Sequence, residues 1–330
     1  MKKTISIVTP CFNEEQGIAE CYQAIKGIMD RELPGYQREH IFCDNCSTDR
    51  TLEILKGLAA NDPSVKIIVN SRNFGILRNT YNGVLSATGD AVVLFMPADL
   101  QDPPELIPRF VQLWEQGNEI VYGIRAQRDE AYFGRTIRHL YYRLISRLSY
   151  VDYPPDVGDF QLVDRKVLEA MKRFEDNQPF MRMMTFECGF RAVGVPYTWR
   201  ARKFGFSRNS LSHLFDQGFA GIIAFSNAPM RIAFFFGMLI AVMSILYAVT
   251  LLTLKLVGVN IGPWGVPTIV IALFFFSGVQ LIFMGFLGEY VVSIFNQVRK
   301  RPLVIERSRI NFGDQPSEAS LPSRSINEAS

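Results

Sequence analysis

Residues 91–104 read AVVLFMPADLQDPP. The run Ala91–Met96 has the length and the branched and aromatic content of a buried strand. It breaks at once into Asp99, Gln101 and Asp102. In open α/β sheets, ligands bind just past the carboxyl ends of the strands. Oxygen ligands gathered there suit a hard cation such as Mg²⁺ or Mn²⁺, which commonly serves phosphate chemistry.

Outward from this stretch, the first 125 residues alternate strand and helix, the pattern of a mainly parallel sheet covered by helices. Strands are predicted at Ser6–Pro10, Ile41–Asp44, Lys66–Asn70, Ala91–Met96 and Glu119–Ile124. Helices are predicted at Glu14–Met29, from the Ser47-Thr48-Asp49 cap to about Ala60, from Ile76 to Ala87, and from Pro103-Pro104 to Gln116. After Arg125 the character changes. Residues 132–150 read YFGRTIRHLYYRLISRLSY, with Arg135, Arg138, Arg143 and Arg147 among aromatic and aliphatic residues, the composition of a helix lying in a membrane interface. An ordinary amphipathic surface helix has the same pattern. Residues 209–227 form a second amphipathic candidate.

Two apolar runs follow, 232–254 and 256–288, and neither contains Asp, Glu, Lys, Arg or His. Each holds the roughly 20 apolar residues that cross about 30 Å of hydrocarbon. Two transmembrane helices are therefore expected, about 232–254 and 264–288. Arg231 precedes the first, and Arg299, Lys300 and Arg301 follow the second. The positive-inside tendency then places both termini and the large domain in the cytoplasm, at the plasma (inner) membrane. Without intramembrane ionisable groups the spans serve as anchors and not as a transport path. The basic start, Met1–Lys3, leads into an apolar stretch too short for a signal peptide. The expected organisation is a catalytic domain over 1–228, membrane helices over 229–290, and a basic, then polar, disordered tail over 291–330.

Among 330 residues the formal net charge is only +3, and no basic stripe with interleaved aromatics suggests nucleic acid as a partner. Five cysteines stand at 11, 21, 43, 46 and 188. Cys43 and Cys46 spell C-x-x-C, but no second pair or His partner accompanies them, so unpaired thiols in a reducing compartment are expected.

Six short motifs occur in order: Thr9-Pro10-Cys11-Phe12-Asn13-Glu14, Asp44-Asn45-Cys46-Ser47-Thr48-Asp49, Arg72-Asn73-Phe74-Gly75, Ala98-Asp99-Leu100-Gln101-Asp102-Pro103-Pro104, Gly158-Asp159-Phe160-Gln161-Leu162, and Arg202-Lys203-Phe204-Gly205-Phe206-Ser207-Arg208. With the apolar runs behind them, the chain over about residues 4–300 resembles the family 2 glycosyltransferases of the GT-A fold. Within that family it is similar to the polyprenyl-phosphate sugar transferases, which include dolichyl-phosphate mannose synthase and the bacterial GtrB and ArnC proteins.

The resemblance implies a Rossmann-like α/β GT-A nucleotide-sugar domain with interfacial helices and two transmembrane helices. It implies that Pro10, Asn13 and Glu14 line the nucleotide pocket and that Asp44 sits by the base or ribose. Asn45 fills a position usually held by Asp. Asp99 and Gln101 would face the metal (Mg²⁺ or Mn²⁺) and the diphosphate. Arg202 would meet the diphosphate or the acceptor phosphate, with Ser207 and Arg208 nearby, and Arg135 and Arg138 near anionic lipid. Asp159 would lie close to the acceptor, so Asp99, Asp159 and Arg202 are the expected catalytic residues. The implied partners are a UDP- or GDP-linked sugar, a polyprenyl (undecaprenyl or dolichyl) phosphate, the membrane, and a second copy of the chain in a homo-oligomer.

Two positions depart from the family pattern. Cys46 replaces a turn glycine, so that turn cannot rely on glycine's tolerance of positive φ. Pro97 replaces the first carboxylate of a D-x-D, which leaves Asp99 and the Gln101 amide on one side of an extended segment, with Asp102 as the only spare acid. The expected reaction is inverting transfer of a hexose to the lipid phosphate. A processive polysaccharide synthase would need more spans and a Q-x-x-R-W motif, which Tyr197-Thr198-Trp199-Arg200 does not match. A catalytically silent nucleotide-sugar-binding module is the alternative from another class, and Pro97 is its support.

Overall fold

The computed structural model describes residues 2–127, 154, 157–177, 179–200, 228–257, 265–299 and 301–313. The first strand, β1 (Thr4–Cys11), is buried from Ile5 onward, as expected of a central parallel strand covered on both faces. Helix α1 (Ile18–Glu32) packs Ile18, Cys21, Tyr22, Ile25, Ile28 and Met29 inward. That three- and four-residue spacing is the buried stripe of an amphipathic helix. The chain continues through β2 (Gln37–Asp44), α2 (Thr51–Asn61), β3 (Val65–Asn70), α3 (Ile76–Leu85) and β4 (Ala91–Val93). A 3₁₀ turn at Pro104–Leu106 leads into α4 (Ile107–Glu115) and β5 (Ile120–Gln127).

The later elements are β6 (Val157–Asp164), α5 (Arg165–Met171), α6 (Met181–Glu187), β7 (Ala192–Thr198), α7 (Ala228–Leu256), α8 (Gly265–Val298) and β8 (Glu306–Ile310). All eight strands lie in one sheet of order β7-β5-β6-β4-β1-β2-β3-β8. The first four strands are mutually parallel where they pair. The sheet as a whole is mixed, because β6 runs antiparallel to both β4 and β5. The sequence reading of a mainly parallel sheet holds for one half only, since it had no strand between residues 125 and 200.

Two further expectations change. The strand Ala91–Met96 is shorter, because only Ala91–Val93 pairs in register with β1. Leu94 and Met96 still donate their N–H groups to Gln161 and Val8, so the backbone stays satisfied while leaving the ladder. The tail expected to be disordered after Pro302 contains β8, antiparallel to β3. Asn311 ties it down with Nδ2 donors to the carbonyls of Ala59 and Val65, both at 2.8 Å. The alternating Glu-Arg-Ser-Arg-Ile pattern is that of a solvent-facing edge strand and carries little hydrophobic signal.

The chain divides into two compact units. One contains the sheet with its covering helices and residues 301–313. The other contains α7 and α8. In α8 the segment Ala272–Val298 has a mean hydropathy of 1.6 and is unburied. Its 27 residues rise about 40 Å at about 1.5 Å each, more than the about 30 Å of a hydrocarbon core. Among the described residues this is the one helix long and apolar enough to cross a membrane. Helix α7 carries a shorter apolar stretch, Phe234–Tyr247.

Candidate active site

Four loops leave the carboxyl ends of the parallel strands, and each contains a residue with positive φ. These are Asn13 (57°) after β1, Cys46 (65°) after β2, Gly75 (86°) after β3 and Leu100 (55°) after β4. Such backbone is uncommon for a non-glycine residue and most unusual for a bulky one. Its concentration at one end of a sheet marks that end as built for something other than stability. Cys46 keeps the left-handed turn that its missing glycine would have made easy, and its Sγ lies 3.7 Å from the Ser71 carbonyl.

The loops after β1 and β2 brace each other. Asn13 accepts from the Thr48 N–H at 2.8 Å and donates its own N–H to Ser47 Oγ at 3.0 Å. Glu14 N–H donates to Thr51 Oγ1, and Glu15 N–H to Asp49 Oδ2. Asp49 Oδ1 takes the first helical N–H, that of Thr51, while Ser47 faces the neighbouring loop and does not cap α2. Pro10 lies inside β1 opposite Cys43, where its missing N–H costs the ladder one donor. Asp44 closes β2, 1% exposed, and accepts from the Ser47 N–H. Burial raises the Asp44 carboxyl above its ordinary range, and the Ser47 hydrogen bonds oppose that shift.

After β4 the chain does not remain extended. Leu100 N–H closes a turn onto Pro97 O at 3.2 Å, and Gln101 N–H caps Asp99 Oδ1 at 3.1 Å. The expectation that residues 97, 99 and 101 share one side of a strand is replaced by this turn, in which the Gln101 backbone meets Asp99 while the Gln101 side-chain Nε2 donates to the Arg200 carbonyl at 3.4 Å. Asp102 is not a spare ligand. It is 1% exposed, accepts from the Tyr197 hydroxyl, and pairs with Arg125 at 3.3 Å. Among the described residues, no group of three or more His, Cys, Asp and Glu is arranged to hold a metal. Asp99 and the Gln101 amide oxygen, the two donors that the sequence singled out, would offer a cation only hard oxygen. Such a pair would suit Mg²⁺ or Mn²⁺ in a lean site that substrate phosphate and water complete.

Because β6 is antiparallel to β4, its first residues come to this same end of the sheet. Arg182 on α6 forks onto Asp159, with Nε to Oδ1 at 3.0 Å and an Nη to Oδ2 at 2.5 Å. Gln161 Nε2 donates to the carbonyls of Gly158 and Arg182, tying the backbone on both sides of that pair. Arg125 Nε donates to the Tyr197 hydroxyl at 3.1 Å. A Cβ on Gly123 would lie 2.6 Å from the Tyr197 ring, so glycine is required for this packing. Burial alone would raise Asp159, but the Arg182 charge and hydrogen bonds, aided by Arg125, hold it below the usual carboxylate range. Deeper burial wins at Asp102, which is raised despite Arg125 and Tyr197. Two neighbouring carboxyls pushed in opposite directions are a mark of functional sites.

Comparison with known proteins decides the family. The description Glycosyl transferase family 2 matches residues 6–172. The chain is 38% identical over 302 residues to an uncharacterized glycosyltransferase, YkcC, of Bacillus subtilis, covering 91% of this chain and 92% of that one. The chain is a family 2 glycosyltransferase. It is also 33% identical over 306 residues to the bactoprenol glucosyl transferase of Shigella phage SfX, covering 92% of this chain and 99% of that one. Among solved structures, glucosyl-3-phosphoglycerate synthase from Mycobacterium tuberculosis superposes with a TM-score of 0.45 at 22% identity, covering 67% of this chain and 76% of that one.

In the glycosyltransferase, the expected residues Pro10 and Asp44 stand at the carboxyl ends of β1 and β2, Asn13, Glu14, Asn45, Asp99 and Gln101 in the loops that follow the strands, and Asp159 at the start of β6. Arg135, Arg138, Arg202, Ser207 and Arg208 lie outside the described residues. Sequence reasoning missed Arg125, Arg182 and Tyr197, and it missed that Asn45 bonds to Asn70 and Asn73 and that Asn70 bonds on to Asn79. An arginine 23 residues from its carboxylate leaves no periodic trace. Cys43 and Cys46 are free thiols, and burial pushes the Cys43 thiol well up.

Proposed function

We propose that this glycosyltransferase moves a hexose, glucose or a close relative, from a nucleoside diphosphate sugar to a polyprenyl phosphate at the cytoplasmic face of the membrane. The observation that carries the reading is the convergence of the loops after β1, β2 and β4 with the Asp159–Arg182 pair, in a chain similar to bactoprenol glucosyl transferases over nine-tenths of its length. The apolar helices supply the anchor, since a polyprenyl tail cannot leave the bilayer and the enzyme must work beside it. Two spans with both termini cytoplasmic follow from the charge distribution around the apolar runs.

The acceptor phosphate oxygen forms a bond to the anomeric carbon as the bond from that carbon to the β-phosphate oxygen breaks, and the nucleoside diphosphate departs. Direct displacement inverts the anomeric centre and leaves no sugar on the protein. Asp99 and Gln101 would hold a divalent cation, which neutralises charge developing on the leaving diphosphate. Arg202 adds a second positive charge to the same oxygens. A phosphate monoester has a second pKa of about 6 and is mostly dianionic at neutral pH, so the acceptor needs no strong base. Asp159, ionised and clamped by Arg182, suits orientation of the acceptor better than removal of a proton.

The test is to incubate membranes with labelled UDP- and GDP-sugars and polyprenyl phosphate, then extract lipid. Label in a short lipid product supports the proposal. Label in polymer points to a processive synthase, and no label in either fraction points to a silent binding module.

A further inference from the structure

Asparagines 45, 70, 73 and 79 form a continuous amide network beside Asp44. Asn45 Oδ1 accepts from the Phe74 N–H at 3.0 Å and from Asn70 Nδ2 at 3.1 Å. Asn45 Nδ2 donates to Asn73 Oδ1 at 2.9 Å, and that same oxygen accepts from the Gly75 N–H at 2.9 Å. Asn70 Nδ2 donates also to Asn79 Oδ1, and Asn79 Nδ2 donates to the Cys43 carbonyl, both at 2.8 Å. Backbone groups fix the orientation at three of the four positions. The Phe74 N–H faces the Asn45 oxygen, the Gly75 N–H faces the Asn73 oxygen, and the Cys43 carbonyl faces the Asn79 nitrogen. The amides therefore cannot be flipped without orphaning a backbone group.

Asn45 is only 4% exposed, and both lone pairs of its oxygen are engaged within the protein. One N–H of its amide nitrogen is committed to Asn73, in a loop that borders the ends of β2 and β3. We propose that Asn45 is a positioning residue, which holds loop 71–75 in shape next to the donor nucleotide, and that it does not itself read the base. Position 45 must then be an amide in this chain. A carboxylate would set oxygen against the Asn73 oxygen, and turning Asn73 to relieve that contact would strip the Gly75 N–H of its acceptor. The proposal rests on the nucleotide-sugar reading for its consequence but not for its geometry.

Two measurements on the full-length protein in membranes test it. Trypsin cleavage at the Arg72–Asn73 bond, followed by mass spectrometry, reports loop opening without needing activity. Asn45→Asp is expected to speed that cleavage about tenfold and to raise the KM for UDP-glucose by a similar factor, with a smaller change in kcat. Asn73→Ala, at an exposed position that does not threaten folding, is expected to speed the same cleavage. In its background Asn45→Asp should add little, because the opposing oxygen is gone. Independent, additive effects would overturn the proposal. So would an Asn45→Asp variant whose cleavage at Arg72 is unchanged while its preference between UDP- and GDP-sugars shifts, since Asn45 would then contact the base. Absence of sugar transfer to lipid, with the cleavage results as expected, would remove the transferase reading and leave the positioning role standing.

Discussion

The two flanks of the sheet's carboxyl end are built from different materials. On the β1–β2–β3 flank the loops are held by hydroxyls, amides and backbone groups, through Asn13, Ser47, Thr51 and the asparagine network. On the β4–β6–β5–β7 flank the frame is ionic, through Asp102 with Arg125 and Asp159 with Arg182. A neutral network fixes shape at modest electrostatic risk. A buried ionic one depends on every partner, because removing one leaves an uncompensated charge in a poorly polarisable interior. Under the proposed function, the first flank would grip the planar nucleotide and the second would govern charge where bonds change.

Substitutions on the ionic flank are expected to cost the most. Asp99→Ala should lower turnover about a thousandfold, the scale seen when a principal stabiliser of developing charge is lost. Lipid-product assays across a Mg²⁺ titration check it, and near-normal turnover would show that the cation is not held at Asp99. Asp102→Asn should destabilise the sheet-bearing unit by about 3 kcal/mol, since Arg125 would lose its ion-pair partner and keep only the weaker pull of Asp159. Thermal unfolding in detergent measures this, and an unchanged midpoint would show that Tyr197 and water suffice.

Asp159→Asn should reduce turnover by a smaller factor, about tenfold to a hundredfold, with Arg182→Gln close behind and the double variant no worse than the first. Its pH profile is more telling than its size. Because Arg182 holds the Asp159 carboxyl below its ordinary range in the folded protein, the group is ionised throughout the range above the ordinary carboxylate pKa. The stability it lends is present above the unfolded pKa and is lost only as pH falls through the folded one. An acid limb in the rate near pH 6 therefore belongs to the acceptor phosphate, and it should stay in place in Asp159→Asn. A limb that vanishes with the carboxylate would make Asp159 a base. The smallest effect is expected far from both flanks: Asn311→Ala, which removes two part-buried hydrogen bonds of the edge strand β8, should cost about 1 kcal/mol with catalysis intact.

Sequence and structure agree where one physical signal dominates. Buried parallel strands are nearly continuous apolar runs, so β1 to β4 were legible to within a few residues. The strand-end motifs followed from them. The β6–β7 half was not legible, because its pairing joins residues 93 and 162, or 124 and 196, and no local pattern announces a partner 70 residues away. The edge strand β8 was missed because an exposed strand of alternating charge resembles an unfolded tail. Pro97 illustrates the limit at the site itself. The sequence showed that a carboxylate was missing, but not that the neighbouring acid, Asp102, was already committed to Arg125 and Tyr197.

By itself the sequence determined the family, the apolar helices, and which loops carry the oxygen-rich motifs, because each of these is written in composition or short-range spacing. Only the tertiary structure decided what each polar side chain is for. Asp102 and Asp159 are both acids in matching motifs, yet burial raises one and a forked arginine lowers the other. Asn45 matches a binding motif, yet its hydrogen bonds go to the protein. Protonation and hydrogen-bond allegiance depend on neighbours brought from tens of residues away, and that is information a linear chain holds only once it is folded.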